Sequence, residues 1–255
     1  MLWIIGNLFT ALFQDYFIFL PKKLASNFQF GFTSDFEEIF ISTKNNGHIH
    51  ALWFHTPNET AKKGIVIYNH GNKDNLKRWG HYHYYFKKLG YDFLVYDYRG
   101  FGKSTGPASE DNMYTDALAV YKKALDHYPE EKIIVYGRSM GSTFACKMAA
   151  AHQPAGLILE TPFSGMKDLF YSYYPFFPKI FWFKYTFDNK KLLPEIHCPI
   201  LIFQGTRDRI VPLSCTKLLQ PILKKEDRFI ILKNGNHHNL MHFERYGVEV
   251  EEFLR

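Results

Sequence analysis

A serine, an aspartate and a histidine stand out by their settings. Ser139 lies in Gly137-Arg138-Ser139-Met140-Gly141, with the apolar run "KIIVY" before it and small polar residues opening a helical pattern after it. This is G-x-S-x-G in the strand–turn–helix setting that presents a nucleophile on a sharp turn, its small flanks letting strand and helix approach each other. The same residues also fit a plain tight turn with a capping serine. A serine hydroxyl is a weak nucleophile, so hydrolysis requires a base, and the base requires a carboxylate to orient it. Asp208 follows the apolar run "CPILIFQG" and precedes Pro212, which suits a helix start. His237 follows "DRFIILKNG" in Asn236-His237-His238-Asn239. Read singly, Asp208 is an ordinary capping residue and His237 a solvated loop histidine. The order serine, acid, histidine, each after a different strand, is the arrangement that acyl-transfer chemistry needs in such a topology.

His237 and His238 compete for the role of base. The sequence places His238 at the start of the last helix and His237 in the loop before it, free to turn inward, which favours His237. An oxyanion needs two donors. The Met140 N–H, next after the nucleophile, supplies one. The other is assigned to the Asn72 N–H in Asn69-His70-Gly71-Asn72, after the first buried strand, with the His70 side chain read as structural. His238 and His242 have a spacing that can bind a metal on a helix, but no H-E-x-x-H pattern and no third ligand accompany them, so no metal is expected. The glycines of "YDYRGFGKSTG" match neither a P-loop nor a dinucleotide fingerprint, so no cofactor is expected.

The elements that would position these groups can be read from the pattern. "FEEIFIST" and "HIHALWFH" form a hairpin around Asn45-Asn46-Gly47. "GIVIYNHG", "DFLVYDYRGFG", "KIIVYG", "AGLILET", "CPILIFQG" and "DRFIILKNG" then read as strands, most of them uniformly apolar. Between and after them, "NLKRWGHYHYYFKKLG", "SEDNMYTDALAVYKKALDHY" with Ser109 as N-cap, "SMGSTFACKMAAAH", "LSCTKLLQPILKK" broken at Pro221, and "NLMHFERYGVEVEEFLR" read as helices. An antiparallel pair followed by repeated strand–helix units predicts an α/β fold, with a mostly parallel sheet covered on both faces. Its ligands bind beyond the C-terminal ends of the strands, where Ser139, Asp208 and His237 fall.

The chain has 255 residues, 46% hydrophobic and 22% charged, which suits one large domain and argues against wholesale disorder. Its net charge is +6, but the lysines are scattered and no RNA- or DNA-binding pattern appears, so nucleic acid is not an expected partner. Cys146, Cys198 and Cys215 lie far apart, as buried free thiols do. Residues 1–27 form an apolar N-terminal segment and residues 28–255 the domain. The segment lacks a basic start and a cleavage site, and Gln14-Asp15 interrupts the roughly 20 apolar residues a spanning helix needs. Leu2, Ile5, Leu8, Phe9, Leu12 and Phe13 recur at helical spacing, as expected of a helix lying on the domain or on a membrane surface. A cytoplasmic location follows, with membrane association through residues 1–20 as an option. Residues 162–197 are longer than a usual connection and rich in Phe and Tyr, which predicts a short cap. Its aromatics serve either as an apolar acyl pocket or as a core that docks the cap.

The stretches "IYNHGNKDNLKRW", "LVYDYRGFGKSTG", "VYGRSMGS", "ETPFSGMKDL", "ILIFQGTRDRIVP" and "NGNHHNL" resemble, in that order, the serine hydrolases of the α/β-hydrolase superfamily. They are most similar to small members grouped with the prolyl-oligopeptidase-like and serine-aminopeptidase-like enzymes. The resemblance covers the chain from about Gly64 to its end. It departs at Asn236-His237-His238-Asn239, where related chains often read Gly-His-Asn-Asp. It implies a Ser139–Asp208–His237 triad, places the catalytic histidine at His237, and implies no cofactor. Hydrolysis of an ester or thioester of a small apolar acyl substrate is the expected activity. A peptidase on short peptides is the alternative enzyme, acyl transfer to an acceptor other than water shares the same acyl-enzyme, and a scaffold with an unused site is the alternative of another class.

Overall fold

The computed structural model describes residues 14–57, 62–178 and 182–255. The helical face expected of Leu2 to Phe13 lies outside the described residues. Asn45 and Asn46, both at φ 55°, turn the chain between strands β1 (Phe36–Thr43) and β2 (Gly47–Phe54), which pair antiparallel from Thr43–Gly47 to Phe36–Phe54. Asparagine tolerates this left-handed conformation better than most residues, so the hairpin forms where the sequence places it. The remaining strands are β3 (Gly64–Asn69), β4 (Tyr91–Tyr96), β5 (Ile133–Arg138), β6 (Gly156–Glu160), β7 (Ile200–Gly205) and β8 (Arg228–Leu232). They complete a sheet of order β1-β2-β4-β3-β5-β6-β7-β8, parallel from β4 through β8.

Strands β3 to β7 are buried along their whole length because both faces of the sheet are covered. Alternate residues feed two separate cores. Ile65, Ile67, Val135, Leu157 and Ile202 pack with Met113, Ala117 and Val120 of helix α2 (Glu110–Leu125) and Phe144, Ala145 and Met148 of helix α3 (Gly141–Ala151). Val66, Tyr68, Ile134, Tyr136 and Phe203 pack with Phe86 of helix α1 (His83–Lys88) and Tyr246 and Val250 of helix α5 (Glu244–Phe253). The chain runs from β3 to β4 on one side and then crosses back over β3 to β5 on the other. That reversal opens a crevice at the ends of β3 and β5, where both oxyanion candidates and Ser139 lie.

Ser109 caps α2 by accepting from the Asn112 N–H, as its sequence position predicts. Three expected helices come out shorter. "NLKRWGHYHYYFKKLG" is a turn at Leu76–Trp79, a 3-10 turn and then α1, broken where Phe32 packs so closely on Gly80 that a Cβ there would lie 2.5 Å from the ring. "LSCTKLLQPILKK" is one turn, Leu213–Thr216, followed by 3-10 structure through Pro221. The last helix begins at Glu244, so His238 lies in a turn and does not begin it. Asn239 Oδ1 accepts the Asn236 N–H and Asn236 Oδ1 accepts the His238 N–H, so local side-chain bonds hold this stretch in a turn.

Among the described residues no helix is long and apolar enough to cross a membrane. Residues 14–23 run along the domain. Lys184 bonds Asp15 at 2.7 Å, the Phe19 ring meets Tyr185 edge-on, and Asn72 Nδ2 donates to the Ile18 carbonyl at 2.7 Å. In the cap, helix α4 (Met166–Tyr173) precedes a single turn at Asn189–Leu192. The cap aromatics divide their work. Phe163, Tyr185 and Phe187 are buried in the core under the cap. Phe170, Tyr173, Tyr174, Phe177, Trp182 and Phe183 line an apolar cleft of about 500 Å³, closed on its other side by Phe17 and Ile18.

Candidate active site

Ser139 sits at the bend between β5 and α3 with φ 51°, a left-handed conformation that costs a non-glycine residue about 1 kcal/mol or more. What holds it there is close packing at both flanks. A Cβ on Gly141 would lie 2.0 Å from the Asn69 carbonyl oxygen, and one on Gly137 would lie 2.6 Å from the Ala145 Cβ. The helix therefore starts directly against the end of β3, and the Ser139 N–H is tied to the Glu160 carbonyl at 2.9 Å. Gly141→Ala is expected to destabilise the protein by about 3 kcal/mol or more, since backbone must move to admit the methyl. A change below about 1 kcal/mol in urea unfolding would refute this account of the turn.

The Asp208 carboxylate lies beyond the end of β7 and His237 beyond the end of β8. Asp208 Oδ2 is 2.8 Å from His237 Nδ1. Its Oδ1 accepts the Ile210 and Val211 N–H groups at 2.8 Å each, and Gln204 Nε2 donates to Oδ2 at 3.3 Å. Burial works to raise the Asp208 pKa. The His237 hydrogen bond and charge and the two backbone donors outweigh it and hold the carboxyl below its ordinary value. An ionised carboxylate only accepts, so it keeps a proton on His237 Nδ1 and leaves Nε2 as the basic nitrogen. His238 is exposed, with its ring edge-on to that of His237 at 5.3 Å. The sequence choice between the two histidines thus has a geometric counterpart: of the two, His237 is the one bonded to the carboxylate.

Ser139 and His237 line one cavity of about 360 Å³ together with Gly71 and Asn72. Met140 stands at the N-cap of α3. Neither its N–H nor that of Asn72 has a hydrogen-bond partner among the described residues. Two free donors beside a serine on a helix N-terminus can hold a developing oxyanion. His70 is fully buried, with Nδ1 2.6 Å from the Gly71 carbonyl and Nε2 3.4 Å from Asp97. It braces the loop from behind, consistent with its reading as structural.

Two features of the site are absent from the sequence reading. The first is Arg138, the variable residue inside the serine motif. It is buried, pairs with Glu160 at 3.4 Å, bonds the Tyr82 hydroxyl, and donates to the His237 carbonyl at 2.7 Å. Glu160 in turn accepts from Tyr136, whose hydroxyl meets that of Tyr246. One buried network thus ties the serine turn to the histidine loop. A basic residue next to the serine is its only sequence trace. The second is Asn72 as a clamp on residues 18–20: its side chain donates to the Ile18 carbonyl, its backbone carbonyl accepts the Leu20 N–H at 2.8 Å, and Leu20 lines the cavity itself.

Residues 60–190 match the family described as serine aminopeptidase, S33. The chain is 26% identical to an α/β-hydrolase domain-containing protein 17B of Xenopus tropicalis, over 85% of this chain and 75% of that protein. It is 31% identical to the α/β-hydrolase domain-containing protein aho-3 of Caenorhabditis elegans, over 58% of this chain and 45% of that one. Among solved structures, an esterase of Pyrococcus furiosus superposes with a TM-score of 0.71 at 20% identity, covering 93% of this chain and 97% of the esterase. An acylaminoacyl peptidase of Pyrococcus horikoshii superposes with a TM-score of 0.68 at 14% identity, over 88% of this chain and 42% of that one. At such identities the structures share a fold with this chain and nothing narrower.

Proposed function

Since this chain belongs to the serine aminopeptidase (S33) family of α/β-hydrolases, we propose that it cleaves an ester or thioester of an apolar acyl group through a serine acyl-enzyme. Ser139 Oγ attacks the carbonyl carbon while His237 Nε2 takes the hydroxyl proton. The Met140 and Asn72 N–H groups hold the oxyanion. His237 then gives the proton to the leaving alcohol or thiol, Asp208 holding the imidazole in orientation and stabilising its charge. Water repeats the sequence on the acyl-enzyme and frees the acid. The observation that carries this reading is the 2.8 Å contact of Asp208 with His237, which lines the same cavity as a serine held at φ 51°. The acyl preference rests on the aromatic cleft beside that cavity, which suits alkyl chains.

Cleavage of short peptides is the second reading, supported by the family to which the chain belongs. The membrane relation proposed for the N-terminal segment has its support in the exposed aromatic side chains of Tyr16, Phe17 and Phe176 beside the cleft. A fluorophosphonate probe tests the central claim. It is expected to label the folded protein on one residue, Ser139, as read by peptide mass spectrometry. Absence of labelling, or labelling elsewhere, would count against the proposal.

A further inference from the structure

The catalytic cavity carries more positive charge than a neutral ester requires. Lys73, Arg78, Arg138 and His238 line it, and no aspartate or glutamate does among the described residues. Arg138 is balanced by Glu160. Burial and the neighbouring His237, Arg138 and Arg78 push the His238 pKa below its ordinary value, so at neutral pH that ring adds little charge. Lys73 and Arg78 have no carboxylate partner among the described residues, whereas the neighbouring Lys22 pairs with Asp74 at 3.2 Å. The Arg78 guanidinium is half-buried and lies over the Trp79 ring at 4.8 Å, which presents a pre-placed fork.

Two cations that line the cavity without a carboxylate partner among the described residues are a ready site for an anion that the substrate brings with it. Arg78 is on the histidine's side of the cavity: it shares the Trp79 ring with Arg138, and Arg138 holds the His237 carbonyl. His237 hands its proton to the leaving group, so this is the side on which the leaving group departs. Among the described residues the apolar cleft and the cavity share no lining residue, but residues of the two are neighbours in the chain. Ile18 lines the cleft and Leu20 the cavity, while Tyr173 of the cleft donates to the Arg209 carbonyl beside Ile210 of the cavity.

We propose that Arg78 and Lys73 form an anion subsite for the leaving group, so that the substrate is an acyl ester whose alcohol carries a phosphate or carboxylate. This rests on the hydrolase reading above. The acyl C–O bond breaks as the Ser139 ester forms, the anionic alcohol leaves with the proton from His237, and water releases the fatty acid. The shared chemistry is an oxyanion group that accepts from a guanidinium and an ammonium.

Two matched substrate pairs test it, each below its aggregation concentration: 1-octanoylglycerol 3-phosphate against 1-octanoylglycerol, and O-octanoyl-lactate against its methyl ester. The kcat/KM ratio is expected to favour the anionic member of at least one pair by about 10-fold or more, and the larger ratio tells phosphate from carboxylate. The ratio should fall toward one in Arg78→Gln and with added salt. Lys73→Gln, at an exposed position, provides a second reading should the Arg78 variant fold poorly. Ratios at or below one in both pairs, or ratios unmoved in the double variant, overturn the subsite. If the neutral esters are still cleaved, and only with Ser139 present, that result leaves the hydrolase reading standing. If no octanoyl ester is cleaved at all, the hydrolase reading falls and the subsite with it.

Discussion

Ser139→Ala is expected to lower kcat for ester hydrolysis by about three orders of magnitude or more, with a thermal unfolding midpoint close to that of the unchanged protein. The activity loss follows from removal of the only atom that could form the acyl-enzyme in this reading. What remains is binding and the two oxyanion donors, which give only a small part of the acceleration. The stability result follows from the turn. Its φ of 51° is imposed by Gly137, Gly141 and the N–H bond to the Glu160 carbonyl, none of which involves the serine hydroxyl. The hydroxyl itself has no hydrogen-bond partner among the described residues, so alanine leaves no buried group unpaired. A variant that turned over octanoyl or p-nitrophenyl esters at the original rate would remove Ser139 from the mechanism. A variant that unfolded many degrees earlier would show that the serine holds the turn.

These expectations could be framed from the sequence because the residues concerned obey local rules. Glycines at positions 137 and 141 are demanded by backbone contact, and contact at the end of a buried strand is what a strand–turn–helix pattern implies. The uniformly apolar runs from Gly64 onward gave away a sheet covered on both faces, since only such strands need no polar side. What was not legible depends on contacts between distant parts of the chain. Asn236 and Asn239 side chains hold residues 236–239 in a turn, and the last helix begins only at Glu244. Phe32, far off in sequence, packs on Gly80 at the point where the expected helix passes into a 3-10 turn. Arg138 reaches the His237 carbonyl across 99 positions, and no periodicity records such a bond. The pairing of Leu20–Pro21 with Lys73–Asp74 likewise brings the N-terminal segment to the cavity beside Asn72, a contact between distant segments that carries no local signal.

Asp208→Asn is expected to reduce kcat by about 10⁴-fold while leaving the protein folded. The argument turns on which oxygen does what. Oδ1 accepts two backbone N–H groups from Ile210 and Val211, and these bonds fix the loop after β7. An asparagine placing its carbonyl oxygen there keeps both. Its amide nitrogen must then take the position of Oδ2, 2.8 Å from His237 Nδ1. That nitrogen is a donor, so Nδ1 must become an acceptor, and the ring proton moves to Nε2, where it faces the serine. The base is then protonated at the nitrogen that has to receive the proton. The variant loses a charge-assisted bond, a cost of about 2 kcal/mol, and it loses the stabilisation of the imidazolium formed in the transition state. Because the Asp208 pKa is depressed in the folded protein, its contribution to stability is complete above the ordinary carboxylate range and disappears as pH falls through and below it. The two proteins should therefore differ in unfolding free energy at neutral pH and converge in acid. Comparable kcat values for the two at pH 7, with the variant shown folded by circular dichroism, would mean that Asp208 serves only the loop and that another group orients the base.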